Sequence, residues 1–434
     1  MSARVISVPD NWRRIHMADS IFRPSRRQVV KGLGAVTLAA GLGAPYVARA
    51  QSEVVRFGHL TPLTGFLGPL GEYAQLGVQL AVEEINAAGG VTDRQVELLM
   101  EDSVNPATAS TKAERYIERD NVACIIGEIS SASGLAIAQV VERHSKLFFN
   151  TGCNSDALRG SDCNRFMYHI EGCNTQYVKA IGSALLRDGL IDGKKVYFLT
   201  ADYAYGHDLS RVGKNFIENN NGTVEWEDLV PTDATDFSAY ILKIRRAQPD
   251  VIISNLAGNQ ITNFIKQYNE FGLEYPYAGF GFDTAVAWGA GKGAFGGRWP
   301  AIWHHKLDVP SSLEFTEAFT AKWGKPPENQ AWGDYLATKI LARAMNDTGS
   351  TETEALLEYF DEEPKFDILK GREGYLRSRD HQLIQEMYTI TDKPLEEVEN
   401  EWDLIALGDA VPGEGEDLES IAPTEEENAC NLEA

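Results

Sequence analysis

The octapeptide Gly127-Glu128-Ile129-Ser130-Ser131-Ala132-Ser133-Gly134 sets three serines between glycines, directly after the apolar run Val122 to Ile126 and before an amphipathic stretch. Small residues admit a ligand to the backbone, the unpaired N–H groups of a helix start attract an anion, and hydroxyls add directional hydrogen bonds. Helix capping by Ser131 or Ser133 would use one serine and leave the others unexplained. A second polar loop, Asn150-Thr151-Gly152-Cys153-Asn154-Ser155, follows the apolar pair Phe148-Phe149. Further on, Asp202-Tyr203-Ala204-Tyr205-Gly206 offers phenols that cover a ligand with large area and keep a hydroxyl for recognition. In Gly279-Phe280-Gly281-Phe282-Asp283-Thr284, Asp283 suits either a ligand ammonium group or the N-cap of the next helix. These are binding chemistries. No Gly-x-Ser-x-Gly elbow, phosphate-binding loop or His-Glu-x-x-His zinc helix is present. His304-His305 and Asp380-His381-Gln382 are read as structural, and nothing fixes a mutual geometry for Asp162, His169 and Cys173. The expectation is no catalytic residue, no metal and no cofactor.

Loops such as these need strands to present them. The pattern predicts strands at 54–60, 95–101 and 122–127, and a short one ending at Phe149. Helices at 72–88, 105–119 and 133–144 separate them, the first ended by Gly89-Gly90. The alternation begins again with strands at 194–200, 223–230 and 251–256 and helices at 206–219, 237–247 and 260–271. Strands separated by helices of this length predict right-handed βαβ units and parallel sheets, with polar loops at the carboxyl ends of strands facing one crevice. After a connection at 301–310 come helices at 312–323 and 330–346, and a last strand at 385–390.

A chain of 434 residues with 43% hydrophobic content can bury two cores. Its start reads as an export segment: Ser25-Arg26-Arg27-Gln28-Val29-Val30-Lys31, then a short glycine-rich apolar run from Gly32 to Ala44, then Val47-Ala48-Arg49-Ala50. This resembles a twin-arginine signal cut after Ala50, and the run is too short to span a bilayer. Removing residues 1–50 takes away eight basic and two acidic side chains, turning a formal charge of −23 into −29. So acidic a product excludes a nucleic-acid partner and disfavours an anionic membrane surface. Of five cysteines, Cys124 sits in a buried-strand pattern, and Cys153 with Cys163 or Cys163 with Cys173 are the local disulfide options. From Thr391 onward fifteen acidic residues face one basic residue, which predicts a solvated or disordered tail.

Gly58-His59-Leu60-Thr61-Pro62-Leu63-Thr64-Gly65, the helix end Glu83-Glu84-Ile85-Asn86-Ala87-Ala88-Gly89-Gly90-Val91, the Gly127 to Gly134 turn and Tyr203-Ala204-Tyr205-Gly206 resemble the leucine/isoleucine/valine-type periplasmic solute-binding proteins of ABC importers. The similarity runs from about Val54 to Ile390. It implies an α/β type I periplasmic-binding fold: two doubly wound lobes, joined by three hinge crossings, that close on a ligand. Lobe 1 would be residues 51–173 plus 305–375 and lobe 2 residues 174–304 plus 376–395, with 1–50 the signal peptide and 396–434 the acidic tail. It implies that Ser130 and Ser131, backbone groups near Gly152 and Cys153, and the Asn154 side chain hold a ligand carboxylate on lobe 1. Tyr203 and Tyr205 would close from lobe 2, Phe66 would add an aromatic wall, and Asp283 would take an ammonium group. Asn154 stands where threonine is usual and the segment around Asp283 aligns loosely, so the ligand class spans amino acids and aromatic or other organic acids. The implied partners are a small organic ligand and the membrane permease of an ABC importer, the location is the periplasm, and the state is a monomer. A sensory protein of the same fold is the alternative, and a secreted hydrolase a remote one.

Overall fold

The computed structural model describes residues 54–432; the expected export segment at 1–50 lies outside them. Lobe 1 begins with β1 (Val55–Thr61), α1 (Gly68–Ala87), β2 (Val96–Asp102), α2 (Pro106–Glu118), β3 (Cys124–Gly127), α3 (Ser131–His144), β4 (Leu147–Asn150) and β5 (Met167–His169). Its five strands lie in the order β2-β1-β3-β4-β5, all parallel. β3 and β4 are buried at every residue, as strands covered on both faces by helices must be. α2 shows why its start was readable: Asn105 accepts the N–H of Thr108 at 3.0 Å and Pro106 occupies the first turn.

Lobe 2 follows with α4 (Asn174–Arg187), β6 (Lys195–Ala201), α5 (Ala204–Asn219), β7 (Thr223–Val230), α6 (Ser238–Ala247), β8 (Val251–Asn255), α7 (Asn259–Glu270), β9 (Tyr277–Gly279), α8 (Thr284–Ala290) and β10 (Arg298–Ala301). The chain returns to lobe 1 for α9 (Pro310–Trp323), α10 (Asn329–Thr348), α11 (Thr353–Asp361), β11 (Tyr375–Leu376) and β12 (Leu383–Ile384). α10 lies so close to α1 that a Cβ on Gly77 would come within 2.2 Å of the Ala331 carbonyl oxygen. It then re-enters lobe 2 as β13 (Met387–Asp392) and β14 (Ile405–Val411). The second sheet has seven strands in the order β14-β13-β10-β9-β8-β6-β7, with β13 and β14 antiparallel additions to a parallel set.

Three hinge segments cross between the lobes, 170–173, 302–309 and 385–386, and the chain beyond β14 makes a further connection. Buried polar groups lock the first to the third. The Arg159 guanidinium donates to Gln382 Oε1 at 2.9 Å and to the Glu171 carbonyl at 2.8 Å, and Gln385 Nε2 donates to the Ile170 carbonyl at 2.8 Å. His304 and His305 lie in the second crossing, ring on ring at 4.4 Å, and burial pushes both imidazoles down to the neutral form.

Two expectations need correction. The acidic tail is not a solvated extension: β14 extends the lobe 2 sheet, and the segment beyond it returns to lobe 1, where Arg377 pairs with Glu419 at 2.9 Å. Its acids are ordered because cationic side chains remote in sequence receive them. Neither local disulfide forms either. Cys163 bonds Cys430, 267 residues away, while Cys124, Cys153 and Cys173 are buried thiols.

Candidate functional site

Between the lobes lies a tight crevice whose enclosed free space is only about 20 Å³. The loops after β3 and β4 and the start of α10 border it from lobe 1; α4 and the loops after β6, β8 and β9 border it from lobe 2. This is the carboxyl edge of both parallel sheets, where strand ends leave backbone and loop groups free to meet a ligand.

On lobe 1 several backbone donors near the cavity are satisfied internally. Gly127 and Glu128 turn the chain in the left-handed region, at φ 119° and 67°, which folds the Glu128 side chain back toward the start of α3. Its Oε1 accepts the N–H groups of Ile129 at 3.1 Å and Ser130 at 2.9 Å. Both donors precede α3, and no acceptor for the first-turn N–H groups of Ser131, Ala132 and Ser133 is found among the described residues. Glu128 is fully buried, and this desolvation pushes its carboxyl up to about 7. In the next loop, Asn150 Oδ1 accepts the N–H groups of Gly152 at 3.3 Å and Cys153 at 2.7 Å. Asn154 Nδ2 donates to the Gly172 carbonyl at 3.1 Å, and Ser131 Oγ accepts the Ser155 N–H at 3.3 Å.

Lobe 2 is arranged differently. Tyr203 and Tyr205 stand at the start of α5 with tilted rings, centroids 5.7 Å apart, and no protein partner for either hydroxyl is found among the described residues. Gly281 makes room for this, since a Cβ there would lie 2.0 Å from the Tyr205 hydroxyl. Tyr177 of α4 also reaches the cavity, but its hydroxyl donates to Glu171 Oε1 at 2.8 Å. Burial pushes Glu171 up to about 8, with Tyr177 and Gly172 as its hydrogen-bond donors.

Asp283 is the single charged side chain among the described residues that border the cavity. It precedes α8 in the N-cap position yet makes no capping bond. Instead its Oδ1 accepts from Asn329 Nδ2 at 2.7 Å and Gln330 Nε2 at 2.8 Å, both at the start of α10 on lobe 1. Asn329 Oδ1 completes the clamp by accepting the Thr284 N–H at 3.0 Å. Because Gln330 spends its amide nitrogen on Asp283, its Oε1 faces the cavity side with no donor although the residue is buried. Gly152 is the only size of residue that fits opposite, since a Cβ there would lie 2.6 Å from that oxygen. Burial raises the Asp283 carboxyl, and the two amide donors pull it back. The site therefore combines one anion and one unpaired acceptor with phenolic donors and apolar walls from Ile129, Leu256, Ile261 and Phe282.

Of the residues singled out in the sequence, Gly152, Asn154, Tyr203, Tyr205 and Asp283 border the cavity. Ser130, Ser131 and Cys153 stand behind it, where the Cys153 thiol donates to the Glu128 and Ser130 carbonyls at 3.4 Å. Phe66 packs edge-on against Tyr203, centroids 5.4 Å apart, bringing the lobes together at the cavity's margin. Sequence reasoning missed Tyr177 and Gln330; the run Glu328-Asn329-Gln330 at a helix start was the one signal for the latter. Asp162, His169 and Cys173 engage different partners, respectively Ser161, Asn150 and the first turn of α4.

The model of one protein family, described as periplasmic binding protein, matches residues 54–391. The Leu/Ile/Val-binding protein homolog 8 of Brucella suis biovar 1 (strain 1330) is 28% identical over 341 residues, covering 72% of this chain and 82% of the relative. A periplasmic binding protein from Burkholderia mallei superposes with a TM-score of 0.80 at 25% identity, covering 88% of this chain and 99% of that one. Two more distant structures share the fold. One is a solute-binding protein of an ABC transporter from R. palustris in complex with benzoate, at TM-score 0.74, 20% identity and coverage of 83% and 98%. The other is a branched-chain amino acid transporter substrate-binding protein from Streptococcus pneumoniae in complex with isoleucine, at 0.71, 19% and coverage of 82% and 99%.

Proposed function

The chain belongs to the periplasmic binding protein family, and from that premise we propose that it captures a small carboxylic acid bearing a protonated nitrogen between its lobes and presents it to the permease of an ABC importer. It is a solute-binding protein rather than an enzyme, and its family's place is the periplasm. Export by the twin-arginine route, cleavage after Ala50 and a monomeric state belong to the same reading.

The observation that carries the ligand class is the lone charge in the cavity. Isoleucine and benzoate, the ligands of the two fold relatives, share a carboxylate and differ in the ammonium group. A bare acid would set a second anion beside Asp283 in a site screened from water, where like charges oppose each other strongly. An ammonium group instead pairs with Asp283 and supplies the donor that Gln330 Oε1 lacks. The carboxylate then falls to the phenols of Tyr203 and Tyr205, which border the cavity and have no protein partner among the described residues.

Closure follows from where these groups sit. Asp283 and the tyrosines ride on lobe 2 and Gln330 on lobe 1, so a ligand bonded to both favours the closed arrangement over any open one. A thermal-shift panel of L-isoleucine, L-phenylalanine, benzoate and 3,4-dihydroxybenzoate tests this on the mature protein. An amino acid should raise the melting temperature and the nitrogen-free acids should not. A rise with benzoate and none with either amino acid would remove the proposal.

A further inference from the structure

The carboxyl-terminal segment leaves lobe 2 at the end of β14 and finishes bonded covalently to lobe 1. Just past Val411 it is received by lobe 1, where Arg372 donates to the carbonyls of Gly413 at 3.3 Å and Glu416 at 3.0 Å. Arg377 takes Glu419 and the Pro423 carbonyl. The segment then crosses α4 of lobe 2, whose Lys179 donates to the Ala422 carbonyl at 3.0 Å and to Glu427 at 2.7 Å. It ends on lobe 1 again, with Asn428 Nδ2 on the Asp156 carbonyl at 2.9 Å and Cys430 bonded to Cys163.

We infer that residues 412–430 are a strap that holds the lobes toward the closed arrangement, with the Cys163–Cys430 bond as its fastening and Lys179 as its catch. Lys179 lies two residues from Tyr177, so the helix that the strap grips is one that carries a wall of the cavity. Swinging lobe 2 away moves α4 against a segment fixed to lobe 1 on both sides of the catch. Opening must then break the two Lys179 bonds or drag the strap off its arginine seats. Three hinge crossings permit rotation, as in a two-lobed clamp; a fourth, covalently closed connection limits how far it goes. The fastening matters because a free chain end would follow α4 outward at little cost, whereas a segment anchored at both ends cannot.

Small-angle scattering on the ligand-free mature protein tests the strap and needs no knowledge of the solute, so its outcome is independent of the ligand reading above. The C163S/C430S variant should expand by about 1 Å in radius of gyration over the wild-type protein, against roughly 21 Å for a compact chain of this length. Superimposable curves would overturn the strap. If that variant fails to fold, Lys179→Ala keeps the disulfide and removes the catch; it should expand in the same direction by a smaller amount. A Lys179→Ala protein with wild-type dimensions overturns the inference as well.

Discussion

The two faces of the cleft are built from the same strand-loop-helix unit and dispose of their polar groups in opposite ways. On lobe 1 the N–H groups of Ile129 and Ser130, just ahead of α3, are filled by Glu128, and those of Gly152 and Cys153 by Asn150. On lobe 2 two phenols stand without protein partners, and the one carboxylate is held by side chains of the opposite lobe. Similar backbone topology therefore does not imply similar recognition. A loop at a strand end binds a ligand only if its donors and acceptors are left open, and here the openings lie mainly on lobe 2.

The sharpest way to break this contrast is to remove the lobe 2 charge. Asp283→Asn should weaken an amino-bearing ligand by about 2–5 kcal/mol, the cost of truncating one partner of a buried charged pair. Calorimetry with the best amino acid from the thermal-shift panel measures it. Affinity unchanged within a factor of two would show that no ammonium group sits at Asp283.

The lobe 1 charge makes a prediction about stability rather than binding. Glu128 has its carboxyl raised to about 7 from an ordinary 4.5, so the folded protein keeps a proton that the unfolded chain gives up earlier. As pH rises from 5 to 7 this carboxyl keeps a proton in the folded state that it loses in the unfolded one, and its contribution to stability falls. Glu171, raised to about 8, acts in the same direction. His169, His304, His305 and His381, held neutral by burial, act oppositely in the same window, and Lys370, pushed down to about 7, does so at higher pH, so the Glu128 contribution is isolated by comparing a variant with the wild type at each pH. Glu128→Gln keeps an oxygen for the Ile129 and Ser130 N–H groups and removes the charge. It should stabilise the protein by about 3 kcal/mol at pH 7 and by about 1 kcal/mol at pH 5. Denaturant unfolding at the two pH values checks this, and an equal effect at both would mean that Glu128 does not titrate there.

A finer test concerns the open phenols. Tyr205→Phe should weaken the ligand by about 1 kcal/mol, the net worth of one hydrogen bond, with little change in the unliganded melting temperature because no protein partner is lost. Equal affinity would take Tyr205 out of the binding set and leave the carboxylate to Tyr203.

Much of this was readable from residue order, and the unread part has a common cause. β3, β6 and β8 are continuous or nearly continuous apolar runs, and α2 announces itself through Asn105-Pro106. β5, β9 and β10 are three or four residues long, too short to show a period, and exist because neighbouring strands receive them. The tail looked solvated because charge composition is a local quantity. Its order depends on Lys179, Arg372 and Arg377 and on a disulfide spanning 267 residues. The site divides along the same line. Tyr203 and Tyr205 follow a predicted strand and could be placed at the crevice, and Asp283 stood out within its glycine-rich loop, whereas Gln330 arrives from a distant helix. Glu128 was in plain view inside the serine turn, but only its left-handed backbone shows that it folds onto the N–H groups of Ile129 and Ser130.

The smallest expected effect isolates that point. If lobe 1 is already satisfied internally, Ser131 is a tie between its two loops rather than a ligand donor, since its Oγ accepts the Ser155 N–H and the residue is fully buried behind the cavity. Ser131→Ala should then cost about 1 kcal/mol of stability, because a buried N–H loses its acceptor, and change ligand affinity by less than about 0.5 kcal/mol. The resemblance to amino-acid-binding proteins implies the reverse: a direct bond from this serine to the carboxylate and an affinity loss of about 1–3 kcal/mol. Calorimetry paired with a melting curve on the one variant separates the two. A large loss of affinity at unchanged stability would mean that the serine turn exchanges its internal partners for the ligand, and the lobes would then be alike after all.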